Sequence, residues 1–542
     1  MTAPYQLSMK SCAALIVALF CSTLWASADP LLTSWFTERS GVYARVFQND
    51  NTIPNGATTT WLHPAGGASQ LTPTYAGLHE LAHTDDWVYL RTTGLASYTM
   101  GPWYADETRT DFFPSFPNNR AILYRIPRVP VDPTTVTVHT LTEDGAVGYF
   151  VNGVAMFDTR DSFSFSNGAG NDVPNGNELW NRDAYPNERL TFDASLAHQI
   201  NGFYHYHCNP SALRYQLGDS TDFDEATNVY TENFNGDHSP VLGWTREGFP
   251  VYGPYAYGDP LDPGSTVRRM ISGYQVRTGL TGRDAWPAWA TRLYTEVGIS
   301  FNVGPAVSAT YPLGRYMEDN DYKGDLGMTL GVDFDLNEYN VRWCVTPEFP
   351  AGTWAYFTCI AADGTPVYPY NIARAYFGDP TGGTPDGVPD TDESAATVTM
   401  LFEGGPEKSD TIESIAANTP TTADITLLWS GIEGGPYETQ ETTNPGNPES
   451  WTAIAAAEVA EWDALQTEDT DALASEDHNF YRVGRTDIAA FDSAGFDFTN
   501  PFAGPFTTIT VTIAGDMGQG AQANLGFLPN SITVNGISVD LA

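Results

Sequence analysis

The sequence predicts a mainly β protein, with an N-terminal β-rich domain that carries long loops and a C-terminal β-sandwich-like domain. Short runs of β-branched and aromatic residues alternate with polar ones, and Asn-Gly, Asp-Gly and Pro-rich pairs separate the runs. Aromatic residues make up 13% of the chain and charged residues only 17%, which favours a packed, turn-rich fold over disorder. Examples of predicted strands are WVYLRTT, RAILYRIPRVP, TVTVHTL and AVGYFVNGVAMFD.

The first 28 residues have the pattern of a secretory signal peptide. Lys10 precedes an apolar run from Cys12 to Phe20, and Ala26 and Ala28 form a small-residue cleavage site. The apolar run is shorter than the roughly 20 residues that a membrane-spanning helix needs. We therefore expect a protein that is secreted to the periplasm or the extracellular space after cleavage near Ala28, without membrane insertion.

The charge of the chain restricts its partners. It contains 66 acidic and 25 basic residues, a net charge of −41. Nucleic acids and anionic membranes are bound through clusters of Lys and Arg, so this composition argues against both. The expected partners are a small molecule or a component of a cell surface or matrix.

Composition divides the chain after the signal peptide into three parts. Residues 29–377 form the first predicted domain, residues 378–396 an acidic linker rich in Gly and Pro, and residues 397–542 the C-terminal domain. The C-terminal domain shows alternating strand patterns such as TVTMLFEG and ITLLWSG. One helix is predicted within it, over PESWTAIAAAEVAEWDALQ, because the large apolar residues there recur at helical spacing. This domain is expected to be an accessory domain without catalytic residues.

The linker has a second interpretation besides that of a spacer. Its stretch DGVPDTD places the carboxylates of Asp386, Asp390 and Asp392 close together, as in half of an acidic calcium repeat. Carboxylate oxygens are the ligands that Ca²⁺ prefers, although the full EF-hand spacing is absent. Both interpretations stay open at this stage.

Cysteine usage predicts one disulfide. Cys344 and Cys359 flank a turn that contains Pro and Gly, between two aromatic strand-like runs. In an oxidising compartment such a pair is expected to close the hairpin as a disulfide. Cys208 is then the odd cysteine of the exported chain.

The stretch FYHYHCNP, residues 203–210, is the strongest candidate for a functional site. Side chains alternate along a strand, so His205 and His207 share one face while the two tyrosines and Cys208 share the other. Imidazoles at i and i+2 lie about 6–7 Å apart at Cα, a spacing that allows both rings to bind one cation.

Further candidate residues lie close by in sequence. His198 precedes the pair across an Asn-Gly turn and His238 follows it, so four of the nine histidines fall between residues 198 and 238. Nitrogen-rich ligation without a matching thiolate favours Zn²⁺ or Cu²⁺ over Ca²⁺ or Mg²⁺. Glu247 is a candidate general base beside such a metal, or an acceptor that fixes a histidine tautomer, and Tyr252 is a candidate catalytic neighbour.

A family resemblance rests on four motifs, which are, in chain order, VGYFVNGVAMFD, FYHYHCNP, DHSPVLGWTREGFPVYGPYAYG and EYNVRWCVTPEFPAGTWAYFTC. Together they resemble the YHYH-domain family of secreted bacterial proteins, over roughly residues 29–377. The resemblance matches His198, His205, His207 and His238 to family histidines and Tyr252 to the tyrosine of the family's Tyr-Gly-Pro turn.

This sequence departs from the family pattern at several positions. Glu247 takes the place of a family aspartate, SLAH replaces a glycine pair before His198, and Cys208 stands where another residue is common. The resemblance identifies a domain and implies no particular reaction.

Two alternatives to a metal-binding YHYH domain remain at this stage. The first is a non-catalytic binding or surface-matrix protein in which the histidines only stabilise the fold. The second is a zincin-like metalloprotease, because LHELAH at residues 78–83 satisfies the His-Glu-x-x-His pattern with His79 and His83. That pattern requires a helix, and the flanking sequence leaves little room for one.

Overall fold

The structure is a computed structural model. It describes residues 29–384 apart from residues 38, 40 and 175–178, then residues 398–404 and 450–454, and individual strands between residues 411 and 540. The predicted signal peptide and the predicted calcium ligands Asp386, Asp390 and Asp392 lie outside the described residues. Within them, no helix is long and apolar enough to cross a membrane.

The described residues up to 384 contain many short strands. In chain order these are β1 (Arg45–Val46), β2 (Leu78–His83), β3 (Trp87–Thr92), β4 (Thr99–Met100), β5 (Ile122–Pro127), β6 (Gly148–Phe150), β7 (Ala155–Met156), β8 (Arg160–Ser166), β9 (Asn171–Pro174), β10 (Asn181–Asp183), β11 (Ala197–Ile200), β12 (Phe203–Tyr206), β13 (Thr221–Asp224), β14 (Val229–Glu232), β15 (Val241–Thr245), β16 (Pro250–Tyr252), β17 (Tyr255–Tyr257), β18 (Val267–Arg269), β19 (Tyr274–Val276), β20 (Asn320–Tyr322), β21 (Val341–Cys344) and β22 (Thr353–Phe357).

Helices are short and few in the described part of the chain. The α-helices are α1 (Pro30–Thr33), α2 (Ala184–Glu188), α3 (Ser211–Gln216) and α4 (Ala288–Glu296). Single 3₁₀ turns occupy Asp50–Thr52, Pro133–Thr135, Arg189–Thr191, Met317–Asp319 and Lys323–Leu326. The predicted mainly β class is confirmed.

An eight-stranded mixed sheet forms the centre of the first domain. Its strand order is β11-β12-β7-β6-β15-β16-β22-β21, with parallel pairs at β12-β7 and β16-β22. A second sheet, which contains β2, β3 and β5, packs on it: Tyr124 of β5 stacks on Tyr149 of β6 with ring centroids 3.8 Å apart. The main hydrophobic core lies between these two sheets. A smaller aromatic core surrounds α4.

The segment LHELAH is strand β2, paired with β3 from Leu78 to His83. On an extended strand the side chains of His79 and His83 do not lie one helical turn apart, as the metalloprotease pattern requires. Each imidazole is instead hydrogen-bonded to a nearby backbone carbonyl, that of Tyr75 or Thr84. The zincin-like alternative is therefore wrong, because β-sheet pairing determines the local structure.

The first strand after the predicted linker belongs to the sheet of the first domain. Strand β23 (Thr399–Glu403) pairs with β2 and completes the order β23-β2-β3-β5. Leu401 and Phe402 pack against the main core. The alternating pattern after the linker does form a strand. Its hydrogen-bond partner is the edge of β2 that does not pair with β3, and a sequence pattern cannot identify that partner.

Further strands follow in the C-terminal region. They are β24 (Thr411–Ala417), β25 (Ile425–Ser430), β26 (Pro436–Thr442), β27 (Thr452–Ala453), β28 (Glu458–Val459), β29 (Leu465–Asp469), β30 (His478–Arg485), β31 (Phe496–Thr499), β32 (Thr510–Thr512), β33 (Ser531–Val534) and β34 (Ile537–Asp540). Two antiparallel sheets form, β29-β25-β24-β32 and β27-β26-β30-β31, and β33 pairs with β34.

The helix predicted over residues 448–466 is wrong. Its described residues contain strands β27 and β28 and the start of β29. Strands β27 and β28 both pair with β26, and β29 pairs with β25. Apolar residues at helical spacing are here overridden by sheet pairing with strands that are distant in sequence.

The predicted disulfide between Cys344 and Cys359 is not formed, and both cysteines are buried free thiols. In the register of β21 and β22, Cys344 lies opposite Thr353. Cys359 is six residues further along, about 20 Å of extended chain at roughly 3.3 Å per residue. A disulfide requires Cα atoms within about 7 Å. The thiol of Cys359 instead hydrogen-bonds the side chain of Asn340 at 3.2 Å.

The Asn-Gly turn between β11 and β12 is confirmed as a two-residue hairpin. Ile200 pairs with Phe203, and Asn201 and Gly202 have φ values of 48° and 90°. Positive φ at both turn residues is typical of a type I′ turn. A Cβ atom on Gly202 would lie 2.2 Å from the Asn118 side-chain oxygen, so only glycine fits there.

We expect Gly202→Ala to lower the free energy of unfolding by about 2 kcal/mol or more, because it adds a clash to the strain of a positive φ. Gly218→Ala is the matched control: its φ of 71° is also positive, but no atom lies within 4 Å of an added Cβ. The control should lose only about 1 kcal/mol. Denaturant unfolding measures both, and equal losses would contradict a packed hairpin.

Candidate metal centre

Three histidines converge on one face of the β11-β12 hairpin. The register places His198 directly opposite His205, so their side chains point to the same side of the sheet. His207 lies two residues beyond His205 and shares that side. The two-residue turn fixes this register, since a slip of one residue would move every side chain to the other face.

The nitrogen atoms of these three side chains are close enough to bind one ion. One ring nitrogen from each of His198, His205 and His207 lies within 4.8 Å of the others. The Nε2 atoms of His205 and His207 are 3.1 Å apart. All three residues are buried, with exposed fractions of 2–4%.

The other nitrogen of each ring is held by a hydrogen bond. Nδ1 of His205 donates to the Phe203 carbonyl at 2.8 Å, and Nδ1 of His207 donates to the Asp158 carbonyl at 2.7 Å. Nδ1 of His198 lies 2.7 Å from the Thr191 hydroxyl, which itself donates to the Glu188 carbonyl at 2.7 Å. Each neutral ring therefore carries its proton on Nδ1 and leaves a lone pair on Nε2.

Two lone pairs that face each other at 3.1 Å repel unless a cation lies between them. Two imidazole nitrogens bound to a tetrahedral zinc at about 2.05 Å would be about 3.3 Å apart. The observed separation of the two Nε2 atoms is therefore close to the one that a shared metal ion requires. The His205–His207 pair fits a transition metal on separation and on tautomer, and the nitrogen of His198 lies within 4.8 Å of both.

The surroundings of the rings keep them neutral. Burial lowers the pKa of all three histidines, and the neighbouring imidazoles lower the pKa values of His198 and His205 further. Phe157 stacks on His205 with centroids 3.8 Å apart, and Phe192 contacts the edge of His198 at 4.8 Å. Neutral imidazole is the form that binds metal.

Glu188, at the end of α2, is the acidic residue of this centre. Its Oε2 atom lies 3.4 Å from Nε2 of His207 and 3.8 Å from Nε2 of His198, and its side chain is 18% exposed. Burial, then the nearby carboxylate of Asp161, raises its pKa well above the usual range. Sequence reasoning missed Glu188, because no motif marks it; its position ten residues before His198 is the only signal available.

His238 is not part of this cluster. Its ring packs against Tyr252 and Tyr257, with centroids 5.3 and 4.8 Å away, and its Nδ1 atom bonds the Ser239 carbonyl. Tyr252 lies on β16, four strands from β12 in the central sheet. At about 4.8 Å per strand this is a distance of roughly 19 Å. His238 is close to the motif in sequence but not in space, because β7 and β6 lie between β12 and the strands that follow His238.

Tyr252 and Glu247, the predicted catalytic residues, also lie away from the histidines. The Tyr252 hydroxyl donates to Glu348 at 2.8 Å. Glu247 follows β15, three strands from β12, and is fully buried. Its carboxylate accepts hydrogen bonds from the Tyr356 hydroxyl and from the Gly378 backbone N–H, so it joins β15 to β22 and to the chain beyond. These contacts indicate that Glu247 stabilises the fold.

The pH dependence of the free energy of unfolding can test whether Glu247 stabilises the fold. Burial raises its pKa from 4.5 to about 7. Between these values the unfolded chain ionises and the folded chain does not, so stability falls as pH rises, by about 3 kcal/mol in all. We expect Glu247→Gln to lose this part of the pH dependence between pH 4 and 8, measured by denaturant unfolding. Exposed Glu107→Gln is the control, and identical slopes for both variants would contradict the assignment.

Comparison with known proteins agrees with the motifs. Residues 123–370 match the family model described as YHYH protein, and this range includes all three clustered histidines and Glu188. No curated protein and no solved structure matches the chain. The match begins later than the resemblance of the sequence motifs suggested, and it ends close to the predicted linker. Residues 123–370 of the chain are therefore a YHYH domain.

Proposed function

We propose that this YHYH domain binds one divalent transition-metal ion through His198, His205 and His207. The observation that supports the proposal is the convergence of three imidazole nitrogens within 4.8 Å, each ring with its Nδ1 atom hydrogen-bonded away from the centre. Such hydrogen bonds fix the tautomer and the orientation of histidine ligands in metal sites.

The donor chemistry favours Zn²⁺ or Cu²⁺. Imidazole suits both ions, whereas Ca²⁺ and Mg²⁺ prefer oxygen ligands. Cys208 is not among the clustered donors: its thiol is fully buried beside Phe192 and Tyr370. A nitrogen site without thiolate is the result.

Three histidines leave at least one coordination position unfilled, which is typical of catalytic rather than structural zinc sites. The Glu188 carboxyl lies beside that position, where it could contact or exchange a proton with a small molecule bound there. We infer that the domain acts on a small substrate outside the cytoplasm.

The rival function is a binding or matrix protein with purely structural histidines. The stacking of Phe157 on His205 and the three satisfied Nδ1 atoms favour it, since both features also stabilise a fold without metal. The close Nε2 atoms of His205 and His207 favour the metal.

We expect tag-free protein to hold one equivalent of Zn²⁺ or Cu²⁺ per chain, and the His205→Ala/His207→Ala variant to hold less than a tenth of that. Elemental analysis after dialysis measures both. His238→Ala is the matched control and should keep the full equivalent, because His238 lies outside the cluster. Equally low metal content in the wild type and the double variant would contradict the proposal. Loss of fold in the double variant, with no metal in either protein, would support the rival.

Thr191 gives a finer test, since its hydroxyl accepts the Nδ1 proton of His198. We expect Thr191→Val to weaken metal binding by about 10- to 100-fold without changing the stoichiometry. Competition with a chromophoric chelator measures the affinity. Thr227→Val removes a hydroxyl that bonds only Asp224 on an exposed turn, and it should leave the affinity unchanged. An unchanged affinity in Thr191→Val would show that the Thr191 hydroxyl does not support a metal ligand.

A further inference from the structure

Five ring side chains form a continuous strip at the opposite edge of the central sheet. We call it the aromatic strip; its members, in spatial order, are Trp343, Trp354, Phe377, Tyr339 and His139. Successive ring centroids are 5.6, 4.9, 5.4 and 4.4 Å apart. Trp343 is 43% exposed and the other four rings are half-buried. A contiguous patch of partly exposed rings is a candidate binding surface.

The sheet geometry explains why the strip is open to solvent. Trp343 and Trp354 are a directly opposed pair on β21 and β22, and β21 is the last strand of the sheet. The next pair on the same face, Val341 and Tyr356, is buried. A Cβ on Gly352 would lie 2.7 Å from the Trp343 indole, so this glycine lets the ring lie flat on the backbone.

The strip ends at a cleft of about 460 Å³. His139 is the last ring of the strip and also lines the cleft, together with the apolar side chains of Val138, Leu141 and Val297. The volume is within the range of small-molecule sites. Rings and cleft are therefore one connected surface.

The polar groups of the cleft come as opposite charges in pairs. Glu143 lies 3.3 Å from Arg246, and Asp144 lies 3.4 Å from Arg160. Arg374 forms part of the wall and is almost fully buried. The cleft therefore presents mainly the carboxylates of Glu143 and Asp144, each 63% exposed, while the arginines that balance their charge are largely buried. A ligand rich in hydroxyl groups, which both donate and accept, matches such a surface.

We propose that the aromatic strip and its cleft bind a neutral polysaccharide. Sugar rings have apolar C–H faces that stack on aromatic rings and hydroxyl edges that bond charged pairs, and the strip offers several rings in succession. The net charge of −41 disfavours polyanionic glycans. The strip does not touch the histidine cluster, so this inference is independent of the proposed metal function.

The experiment is a depletion assay of the full chain on microcrystalline cellulose, chitin and granular starch, with calcium alginate gel as the anionic comparison. We expect the wild type to bind at least one of the neutral polymers and not alginate. Trp343→Ala/Trp354→Ala should bind that polymer at least about tenfold more weakly, and Trp343→Phe/Trp354→Phe should keep most of the affinity.

Tyr215→Ala is the matched control: Tyr215 is 45% exposed on α3, which follows β12 at the far side of the sheet. It should bind like the wild type. Thermal unfolding of each variant checks that the fold is intact. The proposal is overturned if the wild type binds none of the three neutral polymers, if it binds alginate as well, or if the folded alanine double variant binds as tightly as the wild type.

Discussion

The alternation of side chains along β12 is the constraint on which the candidate site depends. The strand is buried on both faces, so the Tyr-His-Tyr-His pattern has two roles at once. On one face His205 and His207 meet His198. On the other face the hydroxyls of Tyr204 and Tyr206 both bond Tyr98, and Tyr204 donates to Asp193 at 2.7 Å. Asp193 in turn accepts from the Gly101 backbone N–H at 2.9 Å, which ties the hairpin to a distant loop.

This arrangement gives a physical reason for each position of the motif. Polar phenols in a buried network require every partner in place, because an unpaired hydroxyl in the core costs about 1–3 kcal/mol. The network therefore holds β12 in one register and one position. The positions of the imidazoles on the opposite face are fixed by the same strand. A metal site needs such fixed positions, and a strand supplies them better than a loop.

Features that depend on local geometry were predictable from the sequence. The Asn-Gly turn and the shared face of His205 and His207 both follow from alternation and turn chemistry. The position of His198 beside His205 follows from the register of the β11-β12 hairpin. Features that depend on sheet order were not predictable. His238 and Glu247 are near the motif in sequence but are separated from it by strands that insert in the sheet.

The remaining differences have the same origin. The apolar spacing of residues 448–466 is helical, yet pairing with β25 and β26 makes the segment extended. Cys344 and Cys359 flank one turn, yet the register of β21 and β22 sends them apart. Glu188 reaches the histidines because α2 follows β10 and returns toward β11, and no spacing rule describes that path. In each case the deciding contacts are between residues that are distant in sequence.

The central sheet also determines how the two proposed sites relate. The histidine cluster is at the β11-β12 edge and the aromatic strip at the β21 edge, seven strand spacings apart. At about 4.8 Å per spacing, Trp343 is separated from the histidines by roughly 30 Å along the sheet, but the strip ends much closer to them, at its cleft. Thr142 of the cleft donates to the Asp158 carboxylate at 2.5 Å, and the Asp158 carbonyl accepts from Nδ1 of His207 at 2.7 Å. Asp158 therefore connects the cleft to the histidine cluster, whose rings are only 2–4% exposed.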